Sequence, residues 1–214
     1  MRTILFTVTI LLSSLLAQAQ FEGKLTYKIS YENLPPEMAQ MQGMLPQGQM
    51  VWIKGDMSRF EQGMMQGNIV VISNNTTGES TMLMDMMGQK YKLAISADEA
   101  KQLAEKQPKP EIEYVNETKE IAGMTCKKAI IKIEGLEEPA IAYYTEEIPA
   151  ARIKGMENIR LKGMFLSYRF KAKGMTMTYE ATEVDRSPVS DSIFEVPEGY
   201  ADMPANMKAM MGLN

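Results

Sequence analysis

The sequence predicts an α+β fold: a curled antiparallel sheet forms a half-open barrel, and two or three short helices cover its concave face. About ten short segments alternate apolar and polar residues with the period of a half-buried β-strand. Glycine-containing turns join most of these segments to the next one, which is typical of antiparallel pairing. A large antiparallel sheet tends to curl, and one helix is long enough to cover part of its concave side.

The first strand shows the pattern most clearly, because Leu25, Tyr27, Ile29 and Tyr31 alternate with polar residues. Gly55 and Gly88 mark two of the tight turns between the strands that follow. The further predicted strands are residues 49–54, 57–61, 68–73, 80–86, 90–95, 112–121, 125–134, 140–146, 163–172 and 175–184.

The clearest helix signal begins after Ser96, since Ser96 and Glu99 have the spacing of a capping box. Strong helix formers follow, which predicts a helix over residues 97–106 that ends before Pro108. A second short helix is expected over residues 37–44, after a Pro-Pro pair, and a third over residues 203–211. We expect the first two to lie over the concave face of the sheet.

The first 19 residues have the features of a signal peptide. Arg2 supplies a positive charge, residues 4–16 are mostly apolar, and Ala17 and Ala19 give the small-residue pattern of a cleavage site. Cleavage after Ala19 leaves a mature chain of about 195 residues, which we interpret as one domain over residues 20–214. No later stretch is long enough to span a bilayer. We therefore expect an exported protein, soluble in the periplasm or cell envelope of a Gram-negative bacterium.

The composition argues against catalysis and against nucleic-acid binding. The chain has no histidine, so its serines lack the usual general base. Its formal net charge is −4, and no segment resembles the basic stripe of a nucleic-acid-binding protein. Paired carboxylates such as Glu137–Glu138 could in principle cleave glycosides, but their positions favour a solvated face. Cys126, the single cysteine, excludes an intramolecular disulfide, and we interpret it as a small residue within a strand. A thiol activated by the neighbouring Lys127 and Lys128 is the alternative. No cofactor is predicted.

The 21 methionines indicate a soft apolar surface, because methionine is flexible and adapts to irregular partners. Alternation places methionine and aromatic side chains on the expected inner face of the sheet. We therefore predict a concavity that binds a lipid or a lipid-modified chain, as in a carrier or chaperone of the cell envelope. The candidate lining residues are Trp52, Met82, Met84, Met164, Leu166, Tyr168, Met175 and Met177.

Two alternatives remain open. In the first, the methionines fill an ordinary solid core, and the protein acts through its surface as a structural or interaction protein. In the second, Met38, Met41 and Met44 bind Cu(I) or Ag(I), since thioethers are soft ligands. The same spacing also describes a plain apolar stripe on a helix.

Four segments of the chain resemble an uncharacterised family of exported bacterial proteins. They are ETKEIAGMTCKKA at residues 117–129, YYTEEI at 143–148, LKGMFL at 161–166 and FEVPEGY at 194–200. This resemblance implies a fold like that of the periplasmic outer-membrane lipoprotein carrier (LolA-like), in which helices plug the apolar concave side of a half-open barrel. Lipoprotein carriage itself does not transfer by fold alone, so the resemblance implies the fold, the compartment and an apolar ligand.

Overall fold

The computed structural model describes residues 21–210 except residues 66, 152, 154, 155 and 157. The predicted signal peptide therefore lies outside the described residues, as does the last residue of the predicted tail helix. Within the described part of the chain, no helix is both long enough and apolar enough to cross a membrane.

The described residues contain twelve strands and three short α-helices. The strands are β1 (Glu22–Glu32), β2 (Gly48–Lys54), β3 (Met57–Met64), β4 (Gly67–Asn74), β5 (Ser80–Met86), β6 (Gln89–Ile95), β7 (Glu111–Ile121), β8 (Met124–Lys132), β9 (Ala140–Thr145), β10 (Met164–Ala172), β11 (Met175–Asp185) and β12 (Ala201–Asp202). The α-helices are α1 (Pro36–Ala39), α2 (Ala97–Glu105) and α3 (Ala205–Met210), and 3-10 turns cover Gln42–Met44 and Asp191–Phe194.

All twelve strands belong to one sheet, in the order β12-β6-β5-β4-β3-β2-β1-β11-β10-β9-β8-β7. Every pairing is antiparallel except that of β12 with β6. The strands β12 and β7 form the two edges and do not pair with each other, so the sheet is not closed. The prediction of a mostly antiparallel, open sheet with a few short helices is confirmed.

The sheet bends strongly between β11 and β7. Lys119 on β7 places its Nζ atom 3.0 Å from Oε2 of Glu180 on β11, although three strands lie between them. In a flat sheet, four steps of about 4.8 Å would separate these strands by roughly 19 Å. Two side chains cannot bridge that distance, and this end of the sheet is therefore curled.

The inner face of the sheet is defined here as the face that carries Leu25, Tyr27, Val51 and Ile53, all of them buried. Its largest apolar cluster extends from β1–β3 through β11 and β10 to β9 and β8. A second cluster lies nearer the other edge, where Leu103 of α2 packs against buried residues of β4, β5 and β6. Helix α2 thus covers that part of the inner face.

Local signals explain which predicted helix forms intact. The Ser96 side chain accepts a hydrogen bond from the backbone N–H of Glu99, and the Glu99 carboxylate accepts one from the backbone N–H of Ser96. The capping box predicted for α2 is confirmed. The helix predicted over residues 37–44 instead divides into α1 and a 3-10 turn, neither of which buries a residue. Gly43 lies in the second piece, and glycine weakens a helix interior.

Candidate functional site

A cleft of about 510 Å³ lies on the inner face of the sheet, within the range of small-molecule sites. Its floor is a block of four side chains from two neighbouring strands. Tyr168 of β10 pairs with Tyr179 of β11, and Phe170 pairs with Met177 two residues further along the strands. The rings of Tyr168 and Phe170 are 5.3 Å apart, and Phe170 stacks on Tyr179 at 6.3 Å. The floor is therefore broad, apolar and partly deformable.

Loops between strands form the walls of the cleft. One wall is the β8–β9 loop, which contributes residues 133–136, and another is the β9–β10 loop, which contributes Ile153, Met156 and Ile159. The segment that follows α2 completes the rim with Gln107 and Pro108. Asn158 Nδ2 donates a 2.8 Å hydrogen bond to the carbonyl of Pro108 and so ties two of these walls together.

The side of the cleft formed by β2 and β3 is polar but uncharged, since Gln49 and Gln62 line it. Gln49 is only 3% exposed, and its Nε2 atom has no hydrogen-bond partner among the described residues. Buried amides are nearly always paired, which makes this one an exception that needs an explanation.

Burial dominates the electrostatics of the floor. It raises the pKa of Tyr168 to about 12, and it also raises the pKa of Tyr179. Both phenols are therefore neutral near pH 7. Among the described lining residues, Glu134 is the only one that carries a charge.

A second depression, of about 570 Å³, lies beside the N-terminus of α2. Apolar residues such as Ile72 and Phe194 share its lining with polar ones such as Asn74, Glu79 and Glu99. Met57, Ile72 and Phe194 belong to one apolar cluster there, but two carboxylates, Glu79 and Glu99, share the lining. The charged groups make this depression less suited to an alkyl chain than the 510 Å³ cleft.

The structure divides the predicted lining residues among several environments. Tyr168 and Met177 line the 510 Å³ cleft. Met164 and Leu166 are fully buried in the main core, and the void beside Met164 measures only about 20 Å³. Met175 lies half-buried on the same face as Met177 but outside the cleft lining. Met82 and Met84 share one face, as predicted, and belong to the cluster under α2.

Trp52 lies on the opposite face of the sheet, so its predicted place among the lining residues was wrong. Its chain neighbours Val51 and Ile53 are fully buried on the inner face. Trp52 is half-buried, pairs with Arg59, and has the guanidinium of Arg59 5.8 Å from its ring centroid. All four residues from Met50 to Ile53 are apolar, and alternation alone could not decide which pair faces inward.

Three features of the cleft were not predicted as part of the site. Phe170 and Tyr179 were not among the predicted lining residues. The wall residues Ile153, Met156 and Ile159 belong to a loop without periodicity. Gln49 had a usable signal in the sequence. It shares a face of β2 with Val51 and Ile53, and it is the polar member of that otherwise apolar series.

The other candidate residues lie outside the cleft. Cys126 is buried within β8, and burial raises the pKa of its thiol to about 11. Among the described residues, no group of three His, Cys, Asp or Glu side chains could hold a metal ion. Met41 and Met44 are 48% and 43% exposed. The paired carboxylates are engaged with cations: Glu137 and Glu138 both contact Lys171.

Comparison with known proteins identifies the fold but no family. No protein-family model and no curated protein matches the chain. Among solved structures, PNGF-II aligns at a TM-score of 0.57 with 16% identity over 89% of this chain and 32% of its own. An uncharacterised conserved protein from Thermus thermophilus aligns at 0.50 with 9% identity over 87% of this chain and 91% of its own.

These two likenesses show a shared fold only. The chain spans about a third of PNGF-II. The lipoprotein LppX of Mycobacterium tuberculosis also aligns, with 10% identity over 79% of this chain and 89% of its own, but the TM-score is 0.36.

Proposed function

We propose that this protein binds an apolar ligand, a lipid or the acyl chain of a lipid-modified protein, in the 510 Å³ cleft of its inner face. The observation that carries the proposal is the continuous floor of Tyr168, Phe170, Met177 and Tyr179. Three aromatic rings and a methionine present a wide contact area, and methionine adapts to chains of irregular conformation.

The energetics suit reversible binding. Burial of about 12 methylene groups, at roughly 0.8 kcal/mol each, contributes on the order of 10 kcal/mol. Loss of translational freedom and ordering of the chain offset much of that gain. The remaining affinity is that of a carrier or chaperone that releases its ligand.

Binding of the neutral fluorophore N-phenyl-1-naphthylamine tests the proposal, with dodecane derivatives as competitors. Met177→Gln should weaken binding about tenfold, since it places an amide in the apolar floor. Met175→Gln is the matched control: it lies two residues away on the same face of β11, outside the lining, and should leave binding unchanged. Absence of saturable binding, or equal effects of the two variants, would favour a surface function instead.

The cellular location is part of the same proposal. We infer that the chain is exported to the cell envelope after cleavage behind Ala19 and that residues 20–214 form one domain. Export is supported by the arrangement of a positive charge, an apolar run and small residues at positions 1–19. The single sheet that contains all twelve described strands supports one domain. Mass spectrometry of protein isolated from its own cells should give an N-terminus at Gln20. An intact N-terminal segment would contradict export.

A further inference from the structure

Gln49 is the one strongly buried polar side chain among the described residues that line the cleft. It lies on β2 with 3% exposure, beside the floor formed by β10 and β11. Its strand partner on β1 is Tyr27, whose hydroxyl already donates to the carbonyl of Phe165. The Gln49 Nε2 atom has no partner among the described residues.

An unpaired amide at this position is unfavourable for the empty protein, because it has lost water without gaining another acceptor. Rotation about its last torsion exchanges Nε2 and Oε1, since that torsion is broad and roughly two-fold. Where that rotation turns Nε2 toward the cleft that Gln49 lines, a ligand oxygen that accepts a hydrogen bond would satisfy the donor.

The charges around the cleft restrict which oxygen would be accepted. Glu134 is negative, and no Lys or Arg appears among the described lining residues. A free carboxylate or a phosphate would therefore lose its hydration near a negative charge without gaining a cation from the described lining residues. A neutral carbonyl has no such penalty and accepts a hydrogen bond from an amide.

We propose that the cleft selects neutral acyl compounds, in which an ester or amide carbonyl accepts a hydrogen bond from Gln49, over free fatty acids and over plain alkanes. This inference rests on the proposed function and names the ligand class of the same cleft. The apolar floor holds the chain, and Gln49 fixes the depth at which its carbonyl lies.

Three ligands of equal chain length test the inference by displacement of N-phenyl-1-naphthylamine: dodecane, methyl dodecanoate and dodecanoate. The wild-type protein should bind methyl dodecanoate about 5- to 10-fold more tightly than dodecane, as one additional hydrogen bond allows. It should bind dodecanoate more weakly than the methyl ester at pH 8. Gln49→Met, which keeps the length of the side chain but not its amide, should abolish the preference for the ester.

Gln62→Met is the matched control, because Gln62 also lines the cleft but is less buried. It should keep the preference for the ester. The ligand-free Gln49→Met protein should unfold at the same temperature as the wild type or a higher one, since the variant removes an unpaired donor. If Gln49→Met does not fold, Gln49→Leu replaces it in the same series.

The outcomes separate the two proposals. Binding of dodecane and methyl dodecanoate with equal affinity, or an ester preference that survives in Gln49→Met, overturns the role of Gln49 but leaves an apolar cleft. If dodecanoate binds more tightly than the other two ligands, the proposed selection of neutral ligands is wrong. If none of the three displaces the fluorophore, both this inference and the proposed function fail.

Discussion

The hydroxyl of Tyr27 donates a buried 2.7 Å hydrogen bond to the carbonyl of Phe165, and the two rings lie 5.7 Å apart. Tyr27 is on β1 and Phe165 on β10, with β11 between them. The register of β10 against β9 shifts between Phe165 and Ser167, so that Leu166 is an additional residue. This bulge brings Phe165 close to Tyr168, with ring centroids 5.8 Å apart, and so connects the core to the cleft floor.

Replacement of Tyr27 by Phe should destabilise the protein by about 1–2 kcal/mol, because the Phe165 carbonyl then loses a buried donor. Urea unfolding followed by Trp52 fluorescence measures the change. Tyr31→Phe is the control: Tyr31 also donates a 2.7 Å bond to a backbone carbonyl, that of Pro46, but it is only partly buried. A loss for Tyr27→Phe no larger than that for Tyr31→Phe would show that the buried hydrogen bond does not support the bulge.

The sequence was sufficient to predict the strands and α2 because these elements depend on local signals. Alternation along β1 and the Ser96–Glu99 capping box each act within a few residues. When both faces of a strand are apolar, tertiary contacts and not local sequence decide which face is buried. The segment from Met50 to Ile53 shows this, since only pairing with Leu25 of β1 decides that Val51 lies inward.

The cleft could be predicted only in part, for a related reason. Tyr168 and Met177 lie on strands with clear alternation, and their position in the floor followed from it. Met164 lies before the bulge of β10, and Leu166 is the additional residue that forms it. The register shift at the bulge could not be inferred from the spacing of apolar residues. The walls come from loops, whose position depends on long-range contacts such as the hydrogen bond from Asn158 to Pro108.

Cys126 should be unreactive in the folded protein. It is fully buried in β8, and burial raises the pKa of its thiol to about 11, so very little thiolate exists near pH 8. Ellman's reagent should therefore react slowly with native protein and should release one equivalent per chain in guanidinium chloride, since the chain has one cysteine. Rapid stoichiometric reaction without denaturant would instead indicate an accessible, activated thiol.

Glu117 should make the stability of the β7–β8 region depend on pH in the acid range. Its carboxylate accepts hydrogen bonds from Lys128 at 2.8 Å and from the hydroxyl of Tyr143 at 2.6 Å. These donors, Lys128 first, lower the pKa of Glu117 below its ordinary value of 4.5. A carboxyl whose pKa is lower in the folded state stabilises the fold at pH values above its unfolded pKa. That contribution is lost as the pH falls through the folded pKa.

The melting temperature of Glu117→Gln, measured from about pH 7 down to about pH 3, should therefore fall less steeply with acid than that of the wild type. Tyr143→Phe removes one of the two donors and should give an intermediate slope. Because both variants keep the size of the side chain, a change in packing alone would shift the whole curve without changing its slope. Parallel curves for all three proteins would mean that Glu117 titrates alike in the folded and unfolded chains, and that the two hydrogen bonds do not favour its charged form.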